Sequence, residues 1–546
     1  MVTETNLLPA VPNVGESAVF SALVQPPYRD MPLFAVFRSH EETFSIPLEP
    51  APSLGEGVFG CLFPAQKKEG IWYCLIGAGR DSNKLKYSIP EVFLVTGEKR
   101  EYRALWVDSW NAGFLSPRQA RKLVETARLG NINALIVEVR KIGDAYYDSA
   151  LEPLASNIAT PSFDPLKTLI ELCHDTSGGK KRLELHAWVV AYRIYKGREG
   201  AGFPPSPHIL SRHPEWVSLN HEGQHSEKGT VYLDPGVPGV MDYNIDVCLD
   251  IIRKYEVDGI NFDYIRYPST GWGYNPIALG RFQKLTGRTD RPAPTDSQWR
   301  AFHREQVSHF LRKVYIRLIA EKPNLKVSVC TTGWGDIKGG DFTRTDAYKG
   351  GIQDWARWHR DHLLDVNFRM GYKRQHNASQ KQQFENWTRF TLNHQCFRLS
   401  PIGLGSYLNT IDGTLEQLRT AREYGANGLV FYNYHSPSKD QVTRSDFFST
   451  IRARAYPEWL DVPPLAWKIS NPNGTLAGTA RSGGKALDGA RISLDQINLE
   501  TITDGTGFYA FMDVPPGSYQ LTVNGSPAGT STVHASGINE FNIDLR

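Results

Sequence analysis

The stretch YNIDVCLDIIRKYEVDGINFDYIRYP, residues 243–268, decides the fold. Its first half spaces apolar residues as an amphipathic helix does, and its second half, from residue 258, is an apolar strand that ends in polar residues. A helix that leads directly into a buried strand is typical of a parallel sheet, because parallel strands need a long, usually helical, crossover.

Strand patterns of this kind alternate with helical stretches between about residues 100 and 455. Eight such units are the number that closes a (β/α)8 barrel. The sequence therefore predicts an α/β protein built on a TIM barrel. The predicted strands are 102–110, 133–141, 183–193, 258–268, 325–335, 363–373, 399–408 and 427–436.

Both ends of the chain predict all-β sandwich domains, since short alternating strands are separated there by glycine-rich and proline-rich turns. The predicted organisation is a disordered segment (1–14), an Ig-like sandwich (15–98), the barrel (99–455), an exposed proline-containing linker (456–469) and a second sandwich (470–546).

Composition excludes several classes of protein. The chain has 546 residues, with 61 Lys and Arg against 58 Asp and Glu, so its net charge of +3 argues against a nucleic-acid binder. No apolar run reaches the ~18 residues that span a bilayer. The first residues lack the features of a signal peptide, which leaves a cytosolic protein or a trimmed, exported one. Cys61 and Cys74 lie in neighbouring predicted strands, and a disulfide between them stays open.

Polar residues on otherwise apolar strands are predicted to point into the barrel, whose functional face lies at the carboxyl ends of the strands. This interpretation directs Glu138 and Arg140, Asn261 and Asp263, and Arg369 into the lumen. A buried charge without a partner is costly, so these groups either pair with one another or meet a polar ligand.

Asp263 is the preferred catalytic candidate, because it ends the fourth strand. For Glu138, a buried ion pair with Arg140 or Arg369 is an equal alternative to catalysis. Asp144 follows the second strand, where turn stabilisation is an equal alternative, and Asp336 follows the fifth strand near the predicted rim.

Aromatic residues gather at the strand ends and predict a groove that binds substrate. His221 and His225 lack the intervening glutamate of a metal-binding HExxH motif, so no metal or cofactor is predicted. Besides Arg140, Asn261 and Arg369, the predicted substrate-binding residues are His186, Trp188, Tyr192, Tyr267, Trp334, Tyr372 and Tyr432.

Several blocks resemble the glycosyl-hydrolase-like family ten barrel, also called domain of unknown function 187. They are RALWVDSW (103–110), VEVRKIGDAYYDSALEP (137–153), LHAWVVAYR (185–193) and residues 232–268. The resemblance covers roughly residues 100–435. It implies a TIM barrel from a mostly bacterial, exported family taken to be glycoside hydrolases, of which one enterobacterial member acts on denuded peptidoglycan glycan strands.

The matching motifs imply that Arg140, Asp144, His186, Trp188, Asp263 and Tyr267 lie near the cleft. Three departures favour a distinct specificity. Tyr264 stands where many relatives have a second aspartate, Glu138 where relatives often have glutamine, and residues 331–334 (TTGW) where Ser-Pro-Phe-Gly is usual.

The segments TDGTGFYAF (503–511) and PPGSY (515–519) resemble the carboxypeptidase-regulatory-like β-sandwich module, which implies a role in stability or spacing.

Glycoside hydrolysis needs two carboxyl groups. We expect Asp263 to supply one and Glu138 the other, with Asp144 or Asp336 as substitutes. The predicted function is hydrolysis of O-glycosidic bonds of a polysaccharide or oligosaccharide in an aromatic-lined cleft at the carboxyl-end face of the barrel, and the predicted location of the protein is extracellular or periplasmic. One alternative is a peptidoglycan glycan-strand hydrolase, which a basic cleft would favour. The other is a non-catalytic carbohydrate-binding protein, which the missing second aspartate would favour.

Overall fold

The N-terminal domain consists of two antiparallel sheets. The structure is a computed structural model that describes residues 1–80, 85–200 and 202–545. The strands of this domain are β1 (Val2–Leu8), β2 (Ala18–Val24), β3 (Leu33–Arg38), β4 (Thr43–Pro47), β5 (Glu49–Pro50), β6 (Val58–Phe63), β7 (Gly70–Ala78), β8 (Lys86–Tyr87) and β9 (Glu91–Val95). One sheet has the order β1–β2–β6–β5, and the other has the order β4–β3–β7–β8 with β9 also paired to β7. Phe20, Phe37, Phe63 and Trp72 form the core between them.

The prediction of disorder at residues 1–14 is wrong, because β1 pairs antiparallel with β2. Leu7 has no exposed surface, and the Asn6 Nδ2 donates a hydrogen bond to the Leu392 carbonyl of the barrel domain, at 3.0 Å. Burial of Leu7 and this contact give the segment a fixed place, although its own sequence is only weakly apolar.

Eight parallel strands close the central barrel, so the predicted TIM barrel is confirmed. Each predicted strand is present, and a short hairpin, β13–β14, is inserted after the third. The strands are β10 (Tyr102–Val107), β11 (Ala134–Arg140), β12 (Glu184–Val190), β13 (Arg193–Lys196), β14 (Thr230–Tyr232), β15 (Gly259–Asp263), β16 (Lys326–Thr332), β17 (Val366–Gly371), β18 (Ile402–Gly405) and β19 (Gly428–Tyr432).

Helices surround the barrel and cover the outward side chains of its strands. The lumen is narrow and is filled by large inward side chains, among them Tyr102, Trp106, Ile136 and Phe368. The helices are α1 (Pro117–Leu129), α2 (Pro165–His174), α3 (Ile209–Arg212), α4 (Pro238–Lys254), α5 (Pro276–Thr286), α6 (Ser297–Glu321), α7 (Asp346–Lys349), α8 (Trp355–Arg360), α9 (Ala378–Asn393), α10 (Ile411–Glu423), α11 (Arg444–Arg454) and α12 (Ala466–Ile469).

The C-terminal domain is a second all-β unit of two sheets. One has the order β21–β20–β24, with β27 and β28 also paired to β20, and the other has the order β23–β22–β25–β26. Its strands are β20 (Gly474–Ser482), β21 (Lys485–Ala486), β22 (Arg491–Leu494), β23 (Leu499–Ile502), β24 (Phe508–Val514), β25 (Gly517–Val523), β26 (Ser526–Val533), β27 (Ile538–Glu540) and β28 (Ile543–Leu545).

Polar contacts attach this second sandwich to the barrel. The Arg281 guanidinium of α5 donates to both carboxylate oxygens of Asp488, at 2.7 and 2.9 Å. The Lys313 Nζ of α6 donates to the Thr506 hydroxyl at 2.9 Å. The C-terminal unit is therefore docked against the barrel helices.

Residues 456–469 are not the exposed linker that their prolines predict. Trp467 is 8% exposed, and its Nε1 donates to the Asp365 Oδ1 at 2.7 Å. The Lys468 Nζ lies 3.1 Å from the other oxygen of Asp365, and the Tyr315 hydroxyl also donates to this carboxylate. Asp365 directly precedes β17, so α12 packs across the amino-terminal end of the barrel.

Cys61 and Cys74, for which the sequence did not decide between a disulfide and free thiols, both carry free thiols. Cys61 lies on β6 and Cys74 on β7, which belong to different sheets of the N-terminal sandwich. No helix within the described ranges combines the length and apolarity needed to cross a membrane.

We expect Trp467→Ala to destabilise the protein by about 3–5 kcal/mol, because it removes a large buried side chain together with a hydrogen bond to a buried carboxylate. Trp467→Phe keeps most of the packing, so its stability should lie between those of Trp467→Ala and the wild type. Denaturant unfolding measures both. Equal stability of Trp467→Ala and the wild type would contradict the packing role of α12.

Candidate active site

Two carboxyl groups lie toward the carboxyl-end face of the barrel, on strands that β12 separates. Glu138 belongs to β11, and Asp263 is the last residue of β15. In the ladder, Glu138 aligns with Trp188 of β12, which aligns with Asn261 of β15. Asp263 therefore lies two residues nearer the carboxyl ends of the strands than the layer that contains Glu138.

Glu138 is held by Ser109, which lies two residues beyond the end of the first strand. Its Oε2 accepts hydrogen bonds from the Ser109 backbone N–H at 3.0 Å and from the Ser109 hydroxyl at 2.8 Å. Its Oε1 lies 3.8 Å from an Arg193 nitrogen. Burial raises the pKa of Glu138 to about 7, against these hydrogen bonds and the charge of Arg193. Since Oε2 already accepts two hydrogen bonds, a proton on Glu138 belongs on Oε1.

Asp263 is 7% exposed and lies beside two cations. Burial raises the pKa of its carboxyl group, while Arg266, the Tyr264 backbone N–H and Arg193 oppose that rise. The Tyr264 N–H donates to the Asp263 Oδ1 at 2.6 Å. This contact accompanies a left-handed backbone at Tyr264, with φ of 48°, which is strained for a residue with a side chain.

Asp108 lies nearby, and both of its carboxylate oxygens accept hydrogen bonds that fix the adjoining loops. Its Oδ1 accepts hydrogen bonds from the backbone N–H groups of Trp110 and Asn111, each at 3.1 Å. Its Oδ2 accepts one from the Asn433 amide at 2.8 Å. Asp108 thus ties the loop after the first strand to the loop after the last one.

Cations and aromatic rings alternate across the barrel mouth. We call Trp110, Arg193, Tyr264, Arg266 and Trp334 the cation–aromatic row. The Arg193 Cζ lies 5.5 Å from the Trp110 ring and 4.0 Å from the Tyr264 ring. The Arg266 Cζ lies 4.6 Å from the Tyr264 ring and 4.9 Å from the Trp334 ring. Its end members, Trp110 and Trp334, are 48% and 38% exposed, so the row is open to solvent at both ends.

The alternation of side chains along β11 predicts that Arg140 points into the lumen, but the structure places it outside. The pairing of β11 with β12 shifts between Glu138 and Arg140, so Arg140 aligns with the outward-facing Val189. The guanidinium lies 2.7 Å from the Glu152 carboxylate and also donates to the Asn244 amide of α4. The bulge reverses the side-chain phase and places Arg140 in a buried ion pair outside the barrel.

Arg369 also faces outward, because the opposite phase of β17 fills the lumen with Val366 and Phe368. The guanidinium of Arg369 is fully buried and donates to the Thr388 hydroxyl of α9 at 3.1 Å. The pairing of Arg369 with Glu138 that the sequence left open is therefore absent.

The remaining predicted carboxyl groups lie on the adjoining loops. The Asp144 Oδ1 accepts hydrogen bonds from the backbone N–H groups of Lys141 and Ile142, which is the turn-stabilising alternative, and burial raises its pKa. The Asp336 carboxylate accepts from the Ile337 N–H and the Asn386 amide, so it is anchored to its own loop and α9.

The predicted aromatic and polar residues fall into three groups: near the barrel mouth, deeper in the lumen, and outside the lumen. Tyr372 and Tyr432 lie near the mouth with their rings stacked, 5.0 Å apart and at 25°, and Trp188 lies beside Asp263. His186 and Asn261 lie deeper, bonded to Glu184 and Ser328. Outside the lumen are Tyr192, which packs on Phe310 of α6, and Tyr267, which donates to Asp234.

Sequence reasoning missed Ser109, Lys141 and Arg193. Lys141 lies with its Nζ 4.5 Å from the Trp110 ring and so adds a third cation to the mouth. Each of the three follows a strand directly or by a few residues, and this position at the carboxyl end is the signal that could have identified them.

A cavity of about 680 Å³ lies elsewhere, between the insertion after β12 and the start of α5. Its lining is mostly apolar, and none of the predicted site residues belongs to it. Across the described ranges, no three His, Cys, Asp or Glu side chains are grouped as a metal site.

The fold and the carboxyl-end residues together define a TIM barrel of the glycosyl-hydrolase-like class. The chain belongs to the Glycosyl hydrolase-like 10 family, which matches residues 101–407. It is similar to the protein called Glycosyl hydrolase YngK from Bacillus subtilis, with 25% identity over 48% of this chain and 51% of the relative. Glycosyl hydrolase DigH from Escherichia coli K12 is 27% identical over 45% of this chain and 55% of the relative.

The chain thus matches about half the length of these curated relatives. Among solved structures, the glycoside hydrolase domain of PgaB (BpsB) from Bordetella bronchiseptica aligns with 65% of this chain and 99% of its own, with 11% identity and a TM-score of 0.46. A β-galactosidase from Marinomonas ef1 aligns with 69% of this chain and 63% of its own, with 11% identity and a TM-score of 0.45.

We expect the stability difference between Glu138→Gln and the wild type to depend on pH. Burial raises the folded-state pKa of Glu138 to about 7, above the unfolded value of about 4.3. The stability that its protonated form contributes is present below about pH 4.3 and is lost as pH rises through 7. Glutamine does not titrate, so the variant should gain up to about 3 kcal/mol on the wild type by pH 8.

Denaturant unfolding of both proteins at pH 4 and pH 8 measures this difference. Glu125→Gln is the matched control, because Glu125 is exposed on α1. A difference between Glu138→Gln and the wild type that stays constant over this range would contradict the raised pKa.

Proposed function

We propose that the carboxyl-end face of the barrel hydrolyses O-glycosidic bonds of a polysaccharide or oligosaccharide. The observation that carries this proposal is a pair of buried carboxyl groups at this face: burial raises the pKa of Glu138 to about 7, and the charges of Arg266 and Arg193 oppose the rise that burial causes at Asp263. Two carboxyl groups in different environments are what an acid and a nucleophile or base require.

In this mechanism Glu138 is the general acid. Its Oε1 proton passes to the glycosidic oxygen while the bond from that oxygen to the anomeric carbon breaks. Ser109 donates to Oε2 and so leaves Oε1 to carry the proton. Arg193 and Arg266 favour the ionised form of Asp263, which attacks the anomeric carbon or takes a proton from the attacking water.

Aromatic rings supply the sugar-binding surface in this proposal. Trp188 lies beside Asp263, and the stacked pair of Tyr372 and Tyr432 lies near the mouth. The exposed rings of Trp110 and Trp334 extend the surface outward. Flat apolar faces of this kind suit the faces of sugar rings. Following the resemblance to a mostly exported family, the proposal includes an extracellular or periplasmic location.

We expect Glu138→Gln and Asp263→Asn each to lower kcat by at least a hundredfold while the fold is kept. A substrate with a good leaving group needs little protonation, so it should partly restore turnover by Glu138→Gln and leave Asp263→Asn inactive. Turnover of both substrate types measures this, with circular dichroism as the control for folding.

Asp144→Asn is the matched variant, because Asp144 is the substitute candidate on the adjacent loop. Loss of turnover in Asp144→Asn together with full activity in Glu138→Gln would move the acid role to Asp144. A wild-type protein that binds oligosaccharides and cleaves none would instead support the non-catalytic alternative.

A second candidate is cleavage of peptidoglycan glycan strands. The cations Lys141, Arg193 and Arg266 favour it, because strands without stem peptides carry a free carboxylate on each muramic acid. Arg193 and Arg266 are each partly exposed, so their guanidiniums can be reached by an anionic sugar.

We expect Arg266→Gln to raise KM about tenfold for a carboxylated oligosaccharide, since one charge-assisted hydrogen bond contributes roughly 1.5 kcal/mol. The KM for a neutral oligosaccharide should change little. Arg118→Gln, an exposed arginine on α1, is the matched control. Equal changes of KM for both substrates would argue for a neutral glycan.

A further inference from the structure

Two arginines of the cation–aromatic row share one aromatic ring. The Arg193 Cζ lies 4.0 Å from the Tyr264 ring, and the Arg266 Cζ lies 4.6 Å from the same ring. The Nε atoms of both arginines are buried and have no hydrogen-bond acceptor among the described residues. A ring face attracts a cation at such distances, so Tyr264 supplies part of what fixes the two guanidiniums.

The backbone at Tyr264 explains why its ring reaches the barrel mouth. Successive side chains of an extended strand point to opposite faces, so the residue after the inward Asp263 would face the helices if β15 continued. Instead β15 ends at Asp263, and Tyr264 has a left-handed φ of 48°. This turn brings the ring against Arg193 of β13. Strain of this kind persists where surrounding contacts favour it, and it is found at functional sites.

Arg193 and Arg266 limit how far burial can raise the pKa values of the two candidate carboxyl groups. Burial raises the pKa of Asp263, and Arg266 and Arg193 oppose that rise. Arg193 also lies 3.8 Å from the Glu138 Oε1 and opposes the rise that burial causes there. A guanidinium that left the ring for bulk water would act less on either carboxyl group, because water screens charge.

Other titratable groups also face these two carboxyl groups or the two arginines. They are Asp108, Tyr146, Tyr232, Cys330, Tyr372 and Tyr432, and the Lys141 Nζ donates to the Tyr146 hydroxyl. Burial raises the pKa of the thiol and of the four tyrosine hydroxyls, so these five groups are uncharged at neutral pH. Asp108 adds negative charge beside Glu138. The positive charge that acts on Asp263 comes from Arg266 and Arg193.

We propose that Tyr264 is a positioning residue, whose ring holds Arg193 and Arg266 at the barrel mouth so that both positive charges act on Asp263. Tyr264 touches no reacting atom and acts only through the two arginines. The inference rests on the proposed function where turnover is measured, because that function requires Asp263 to be ionised while Glu138 carries a proton. The placement of the arginines can also be tested without turnover.

The acid limb of the pH profile of kcat/KM on a neutral oligosaccharide tests this role. Asparagine tolerates a left-handed backbone, so Tyr264→Asn removes the ring and keeps the turn, whereas Tyr264→Phe keeps the ring face. A neighbouring cation lowers the pKa of a carboxyl group by about 1–3 pH units. We therefore expect the acid limb of Tyr264→Asn to move to higher pH by roughly one unit, and Tyr264→Phe to keep the wild-type profile.

Two further variants separate the ring from the charges. Arg266→Gln removes one cation and leaves the ring, so its acid limb should also move to higher pH. Tyr424→Leu is the matched control, because the Tyr424 ring lies 4.5 Å from the Arg389 Cζ, in a cation–ring contact on the outer helices of the barrel. Its profile should coincide with that of the wild type.

Denaturant unfolding gives a readout that needs no turnover. Arg193 opposes the rise of the Glu138 pKa, so loss of the Tyr264 ring should raise that pKa further. The protonated form of Glu138 contributes stability that is lost as pH rises through the folded-state pKa. The stability gained by Glu138→Gln should therefore level off near pH 7 in the wild-type background, and roughly one pH unit higher in the Tyr264→Asn background.

The outcomes separate this inference from the proposed function. Equal acid limbs in Tyr264→Asn and the wild type, or levelling at the same pH in both backgrounds, would overturn the positioning role. An unchanged acid limb in Arg266→Gln would overturn it even if Tyr264→Asn did not fold. A wild type that cleaves no oligosaccharide, combined with levelling at higher pH in Tyr264→Asn, would refute the hydrolase proposal and support the positioning of the arginines by Tyr264.

Discussion

The hydrogen-bonded register between β11 and β12 is the constraint on which the site depends. Val139 is the extra residue in that ladder, so Glu138 before it faces the lumen while Arg140 after it faces α4. A cation next to a carboxylate lowers the pKa of that carboxylate. By directing Arg140 to Glu152, the bulge leaves Glu138 with Ser109 and a more distant Arg193, and burial then dominates its pKa.

Hydrogen bonds from neutral groups fix the position of Glu138 and of the loop beside it. Ser109 stabilises one oxygen of Glu138 without bringing a positive charge, and Asp108 fixes the loop that carries Ser109 by accepting from Trp110 and Asn433. The first and last strands are therefore tied at the point where the barrel closes. The position of the buried acid is therefore linked, through Asp108 and Ser109, to the seam where β10 pairs with β19.

The architecture could be predicted from the sequence, because strand and helix periods alternate eight times and each pattern is local. The direction of individual side chains could not. The segment VEVR alternates regularly and gives no sign of the bulge after Glu138. In β17 the polar Asn367 and Arg369 find partners on helices, and Phe368 takes the lumen position instead. Such outcomes depend on residues distant in sequence, as does the contact of Arg193 with Glu138.

Burial of α12 at the base of the barrel also limits how the domains can be exchanged. Trp467 and Lys468 satisfy Asp365 of the barrel, and Arg398 stacks on the Trp467 ring at 4.2 Å while facing Asp513 of the C-terminal sandwich. The segment between the two domains is thus part of the barrel's own structure. Recombination at the end of α11 would separate Asp365 from Trp467 and Lys468, so a functional domain boundary lies after Ile469, and an exchanged barrel must carry its basal helix with it.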